Sequence, residues 1–420
     1  MPVPRRRRGV FRRLGGLRHS SPGRLQLLLG ALLTLGVLTG LVAGLTGNSA
    51  AGGTSDLGNR AQPLLVEAET IYSALADADT TAAQAFLAGG LEPAALTQRY
   101  NEDLERATTA ISSAARRTPE GSEAAVSVGT LSSGVARYAA LVATARADNR
   151  QGLPVGASYL SAASELNRQT LLPQAQNLFR IAQEEVDDGY SSASSIGWVL
   201  LLVALILGLL AVLVLGQRYL SRSTHRTFNV PLVGATVLTV VLALGIQVVL
   251  AGQHSHLGRA KDDGSAPVAK VAEARILALR ERGDEALTLA ARGSGSTYTT
   301  DFTQSSEQLG SALGNEYFST DLRDKHSAYL AAHRKVRELD DNGDYDGAVK
   351  LAIGPETTQQ FESFTTGLNT VIEEHKADFT REIGAAGRGL GLLTVFGPLL
   401  ALLICMLAFI GIRARLEEYR

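Results

Sequence analysis

Four stretches of the chain carry no Asp, Glu, Lys or Arg: Leu25 to Leu45, Ile196 to Gly216, Val230 to Gly252 and Leu390 to Ile412. Each holds 21 to 23 residues, enough at about 1.5 Å per residue to cross a hydrocarbon layer of about 30 Å. They predict four transmembrane helices. Between them the apolar period shortens. Ala61, Leu65, Ala68, Tyr72, Leu75, Asp79, Ala82 and Phe86 are spaced alternately by four and three. That is the seam of a helix packed in a bundle, with Asp79 as its one polar interruption. GGLEP at 89–93 ends it. Leu96, Tyr100, Leu104, Ala107, Ile111 and Ala114 mark a second helix, which stops at RTPEGS. Val128, Leu131, Val135 and Tyr138 mark a third, and a fourth runs from about Ser158 with Pro173 as a kink or restart.

The second long segment repeats this logic. Ala272, Ile276, Leu279, Gly283, Ala286 and Ala290 form one seam, and Leu322, His326, Tyr329, His333 and Val336 another. Phe361, Phe364, Leu368 and Val371 begin a helix that leads into the last apolar stretch. The predicted fold class is therefore all-α, with four transmembrane helices and two extracytoplasmic helical bundles in a duplicated span–bundle–span plan. Its pieces are a basic N-terminus (1–24), span 25–45, bundle 46–195, span 196–216, loop 217–229, span 230–252, bundle 253–389, span 390–412 and tail 413–420. No residue-by-residue repeat accompanies the plan. First and last bundle helices are expected to continue the spans without a break. A helix from Thr54 to Gly89 would stand about 54 Å off the membrane.

Charge sets the orientation. The net charge of -1 conceals a strong segregation. Residues 1–24 hold eight Arg and no acid, residues 217–229 three Arg and no acid, and residues 413–420 three Arg and two Glu. These pieces sum to +12, and the two long segments to -13. Short basic segments stay in the cytoplasm. Both termini and the loop are thus expected inside the plasma membrane, and both long segments outside. RRRRGVFRR precedes an apolar core too long for a cleaved signal peptide, and TGNSAAGG makes a poor cleavage site, so the first span reads as an uncleaved anchor. Cys405, the one cysteine, lies in the last span, which leaves the bundles without disulfides. Abundant Arg and Ala, with no Lys before Lys261, fit a GC-rich bacterial genome.

Catalytic chemistry is hard to place. DDNGDYDGAVKL at 340–351 lacks the Gly and Glu that a calcium loop needs at its sixth and twelfth positions. It reads as Gly343 turning the chain and Asp344 capping the next helix. His326 and His333 share a helical face without further metal donors, and read as hydrogen-bonded core histidines. RGSGST at 292–297 lacks the Lys of a phosphate-binding loop. The spans carry no ionisable group of the kind a transporter uses. Gly36, Gly40 and Gly44 form a doubled GxxxG on the first span, which allows close helix approach in the membrane. Gly397-Pro398 predicts a kink in the last span. No enzyme activity, cofactor, metal or nucleic-acid partner is expected.

With this layout the chain resembles the GlnX-type family of actinobacterial four-span membrane proteins. The likeness rests on RGDEALTLAARGSGSTYTTDF at 282–302, RSTHRTFNVPL at 222–232, LLPQAQNLF at 171–179 and the ending RLEEYR. It implies that an extracytoplasmic amino-acid-binding lipoprotein, specific for acidic amino acids or their amides, signals through the protein to the soluble serine/threonine kinase PknG. In layout the bundles also resemble the four-helix sensor domains of bacterial chemoreceptors. Only about 45 residues face the cytoplasm, too few for a kinase or cyclase, so any signal must pass to a separate protein. The loop and tail supply the candidate docking surface: Arg218, Arg222, Thr224, His225, Arg226, Thr227, Phe228, Arg413, Arg415, Glu417, Glu418 and Tyr419. The arginines alone also serve as topology determinants against anionic lipid of the bilayer, at about 1 kcal/mol each. Two functions follow: a non-enzymatic transducer, or an envelope scaffold that senses nothing.

Overall fold

The computed structural model describes residues 21–417 except 90–91, 195, 225–228 and 292–294, and every regular element among them is helix. The α-helices are α1 Ser21–Asp56, α2 Gln62–Leu87, α3 Ala94–Arg117, α4 Glu123–Arg150, α5 Val155–Leu166, α6 Leu172–Ser194 and α7 Ile196–Thr224. The second half gives α8 Val230–Arg259, α9 Ala266–Ala290, α10 Ser296–Ala312, α11 Thr320–Asp341, α12 Tyr345–Ala352, α13 Pro355–Ala386 and α14 Leu390–Glu417.

Three wider π turns, Leu57–Ala61, Asn167–Leu171 and Ala260–Ser265, interrupt these helices. Each lies just ahead of a proline at the second position of the next helix: Pro63, Pro173 and Pro267. A proline has no N–H to donate, and its ring collides with the carbonyl four residues back. One extra residue in the turn relieves both. Pro173 is thus an α-helical restart. The expected unbroken run into the last span does not form, because α13 stops at Ala386 and Gly389 takes φ 87° before α14 begins. Helix α14 itself continues through Pro398. At the calcium-loop look-alike, Gly343 has φ 82° and the Asp344 carboxylate accepts from Gly347 N at 2.9 Å, a turn and a cap as read from the sequence.

The chain divides into two compact units. One takes in the described parts of Met1–Ser55, Tyr190–Leu257 and Gly384–Arg420. Leu32, Leu202, Leu209, Leu213, Leu232, Ala235, Ile404 and Ile412 form its core. Its outer faces expose Leu41, Leu200, Leu207, Leu244, Val248, Leu392, Phe396 and Leu402. An apolar exterior of this kind suits a surrounding of lipid, where the backbone is satisfied within each helix. Gln217 donates to Leu232 O and Thr236 Oγ1, and Gln253 to Ala193 O and Thr54 Oγ1.

Five helical stretches are long and apolar enough to cross a membrane. Those that contain the four uncharged stretches reach mean hydropathies of 2.2 to 3.2, whereas α4 reaches 1.2. Leu131, Val135, Tyr138 and Val142 of α4 are buried within its own unit, and Arg146 pairs with Glu92 at 2.6 Å. Its apolar content is core. The protein is helical and multi-pass in character, with several such helices.

The second unit joins Asp56–Gly189 and Gly258–Ile383. Both long segments therefore contribute to one packed body, where the duplicated plan predicts two separate bundles. The reason lies in α2 and α9, which pack against each other at its centre. From Ile71 to Ala85 every residue of α2 is buried, and α9 is buried on nearly every side from Ala274 to Leu289. Polar groups pair across this contact, and of these Glu69, Arg275 and Arg280 lie off the predicted seams. Arg275 meets Glu69 at 2.6 Å, and Arg280 Nε donates to the Tyr72 hydroxyl at 2.6 Å.

Candidate ligand-binding site

Polar side chains from four elements of the second unit line a cavity of about 300 Å³. Helix α2 supplies Tyr72, Asp79 and Thr80, the π turn ahead of α6 supplies Asn167 and Arg168, α9 supplies Arg280, Gly283 and Asp284, and α10 supplies Asp301 and Gln304. Such a site needs the two long segments together, since α2 and α6 come from one and α9 and α10 from the other.

Arg168 is the hub. It meets Asp284 at 2.5 Å and Asp301 at 3.2 Å, and its guanidinium stands over the Tyr298 ring at 5.0 Å. Burial works against its charge, but Asp284, Asp79 and Asp301 outweigh that and hold it above its ordinary range. Arg280 is fastened by Tyr72 and by Gln176 Oε1 at 2.9 Å. On α2, Asp79 accepts from Ser164 at 2.9 Å and from Tyr138 at 3.2 Å. Burial nevertheless pushes its carboxyl up to about 6, against the pull of Ser164, Arg168 and Tyr138. Asp284 is pushed up to about 6 by burial as well, with Arg168 opposing. Neither carboxylate is comfortable as an anion. The lining is that of a small charged cavity.

A separate buried cluster lies around the α9–α11 contact. His326 Nε2 lies 3.1 Å from both oxygens of Glu281, and His333 Nδ1 lies 3.0 Å from Glu285. Arg282 pairs with Glu285 at 2.8 Å, and the Tyr329 hydroxyl donates to it at 3.0 Å. Burial pushes the Glu285 carboxyl up, but Arg282, His333 and Tyr329 outweigh it and leave it below its ordinary value. Both histidines are hydrogen-bonded core residues, as their shared helical face suggested.

Residues 53–191 match the family model of an actinobacterial sensor domain. A comparison with curated proteins gives no match. The sensor-domain match runs from the end of α1 through most of α6, and contains the α2 and π-turn walls of the cavity.

The docking residues chosen from the sequence fall elsewhere. Arg218 is exposed near the end of α7, and Arg413 is exposed on α14 with its guanidinium 5.9 Å from the centre of the Phe409 ring. Arg222 and Thr224 lie in the last turn of α7, and Arg415 and Glu417 in that of α14. His225, Arg226, Thr227, Phe228, Glu418 and Tyr419 lie outside the described residues. Among the described residues, Asn229 Nδ2 donates to Gly411 O of the last span at 2.8 Å. Gly36, Gly40 and Gly44 face α14. A Cβ on Gly36 would run into Cys405 Sγ, one on Gly40 would lie 2.7 Å from the Ala401 Cβ, and one on Gly44 3.1 Å from Pro398 Cγ.

Sequence reasoning did not find the cavity. Its signals were present in pieces: Asp79 interrupting the α2 seam, Gly283 within the α9 seam, and Asp284 and Asp301 inside one of the segments that carry the family likeness. Only packing of one segment against the other brings them together.

Proposed function

We propose that the protein is a non-enzymatic transmembrane signal transducer of the plasma membrane. It relays an extracytoplasmic amino-acid signal, received through a binding lipoprotein, to a cytoplasmic serine/threonine kinase. The observation that carries the sensing role is the sensor-domain match over 53–191, a segment flanked by two helices apolar enough to span a membrane. The charge segregation supports the orientation, with loop and tail inside and both long segments outside. The bond from Asn229, the last residue of the loop, to Gly411, two residues ahead of the tail, supports a single docking surface. Residues Arg218, Arg222, Thr224, His225, Arg226, Thr227, Phe228, Arg413, Arg415, Glu417, Glu418 and Tyr419 make up that surface.

Two measurements test this reading. Reporters fused after Gly53 or Gly264 should be extracytoplasmic and those after Thr224 cytoplasmic; a cytoplasmic signal from either long segment defeats the orientation. Alanine at Thr224, His225, Thr227 and Phe228 keeps the loop arginines and hence the topology. Correct insertion with loss of amino-acid-dependent phosphorylation of the kinase's substrate is the expected result. Undiminished phosphorylation removes the loop from the relay.

A further inference from the structure

The ion pair of Arg168 with Asp284 joins the two long segments inside the second unit, since Arg168 comes from 56–189 and Asp284 from 258–383. The acid side of this joint is sealed. Asp284 is 1 % exposed; Arg168 meets one of its oxygens, and the other, Oδ2, has neither contact with solvent nor a hydrogen-bond partner. Asn167 is fully buried and spends its Nδ2 on Leu75 O, and its Oδ1 is sealed and unpartnered in the same way. Asp79, 5 % exposed, lines the same cavity from α2. Unmet acceptors of this kind are a standing cost of the closed arrangement, which hydration or a proton removes. Asn167 and Arg168 also lie in a π turn, where the helix is already widened. We propose that Asp79, Arg168 and Asp284 form a proton-operated latch between the two segments: proton uptake holds the cavity closed, and proton loss opens it to water.

Charge and burial act in the same direction. The cavity wall sets three carboxylates, Asp79, Asp284 and Asp301, against two guanidiniums, Arg168 and Arg280. With all five ionised one negative charge is in excess, and both the excess and the burial favour the neutral acid. Burial accordingly raises Asp79 and Asp284 from 3.8 to about 6. Once hydrated, each would return to the ordinary carboxylate range, so protonation favours the closed cavity. That advantage is complete below about 3.8 and is lost as pH rises through about 6. Between pH 5 and pH 7.5 the closed-to-open ratio falls by about tenfold for each group. The neighbours keep their charge states. Burial pushes the hydroxyls of Tyr72 on α2, Tyr100 on α3 and Tyr138 on α4 up, and they stay neutral. Burial works against the Arg168 charge, but Asp284, Asp79 and Asp301 outweigh it and it stays a cation. Arg280 is tied to Tyr72 and Gln176. On α10, Tyr298 lies against the Arg168 guanidinium, and Asp301, 43 % exposed, stands at the rim beside exposed Gln304. Opening at this rim lets water reach Asp284 Oδ2 and Asn167 Oδ1.

The latch holds whichever signal the protein relays, because its test reads opening and not output. The full chain in detergent is followed by hydrogen–deuterium exchange at pH 5 and pH 7.5, with exchange times scaled for the intrinsic pH dependence of the amides. Beyond that scaling, protection over residues 160–172 should fall by about tenfold or more at the higher pH. Asp79→Asn and Asp284→Asn keep the side-chain shape and remove the charge. Each should shrink the step, and the double variant should be equally protected at both pH values. Circular dichroism melts establish which variants fold, and either single variant decides the assignment if the double variant does not. Equal protection at both pH values in the unaltered chain, or greater protection at pH 7.5, overturns the latch without any variant. A full step in a folded Asp79→Asn, Asp284→Asn or double variant overturns its assignment to these carboxyls.

Discussion

Asp79 shows how one side chain carries opposed demands. Tyr138 and Ser164 both donate to it, yet burial raises its carboxyl from 3.8 to about 6. A folded-state value above the unfolded one means that protonation favours the fold. The benefit is complete below about 3.8 and is lost as pH rises through about 6. Ionised Asp79 therefore burdens the fold at pH 7.5 by up to about 3 kcal/mol. Asp79→Asn is expected to raise the melting temperature at pH 7.5, with the gain shrinking to less than about 1 kcal/mol near pH 4. Equal effects at both pH values would show that burial does not govern this group.

At the scale of elements, two contacts decide which helices stay together. Helix α1 approaches α14 through glycines, and a side chain on Gly40 would meet the Ala401 Cβ at 2.7 Å. Gly40→Leu should lower the melting temperature of the detergent-solubilised protein, by about 1–3 kcal/mol for overpacking of this kind. Gly30→Leu, at a position with open space beside it, should not. Helices α2 and α9 are joined by Glu69 and Arg275, which are 7 % and 10 % exposed. Removing either partner alone leaves a buried charge, at about 3–5 kcal/mol. Leucine at both positions should be far milder than the sum of the single changes, and denaturant melts of the four proteins give the coupling directly. Simple additivity would mean that the pair does not hold α2 to α9. The π turns belong to this scale too. Pro173 reads as a kink or restart in the sequence, and at all three prolines one extra residue upstream lets the helix resume.

For the whole molecule, the decisive fact is that 56–189 and 258–383 form one unit. A fragment covering only the first segment leaves the α9 side of α2 uncovered, with Glu69 without its partner. It should be helical but loosely packed, with a broad thermal transition. Adding the 258–383 fragment should sharpen that transition and produce a stable complex on gel filtration. Two independently cooperative fragments that ignore each other would refute the single unit. The same fact gives the cavity its composition, because its walls come from both segments.

The sequence by itself determined what depends on local period and local charge. The apolar stretches, the seams at Leu65 to Ala82 and Leu322 to Val336, the Asp344 cap and the clustering of arginine beside the spans all follow from neighbours along the chain. Tertiary structure decided everything that depends on which helix faces which. Along the sequence, Glu69, Ser73, Asp77, Thr80 and Thr81 read as the wet side of an amphipathic α2, and all of them are buried. A hydrophobic pattern records that one face must be covered. It does not record that a second, polar face will be covered by pairing with charges some two hundred residues away, as Glu69 is by Arg275. Such pairing leaves no period behind. For that reason the seams were legible from the chain, and the cavity between the two segments was not.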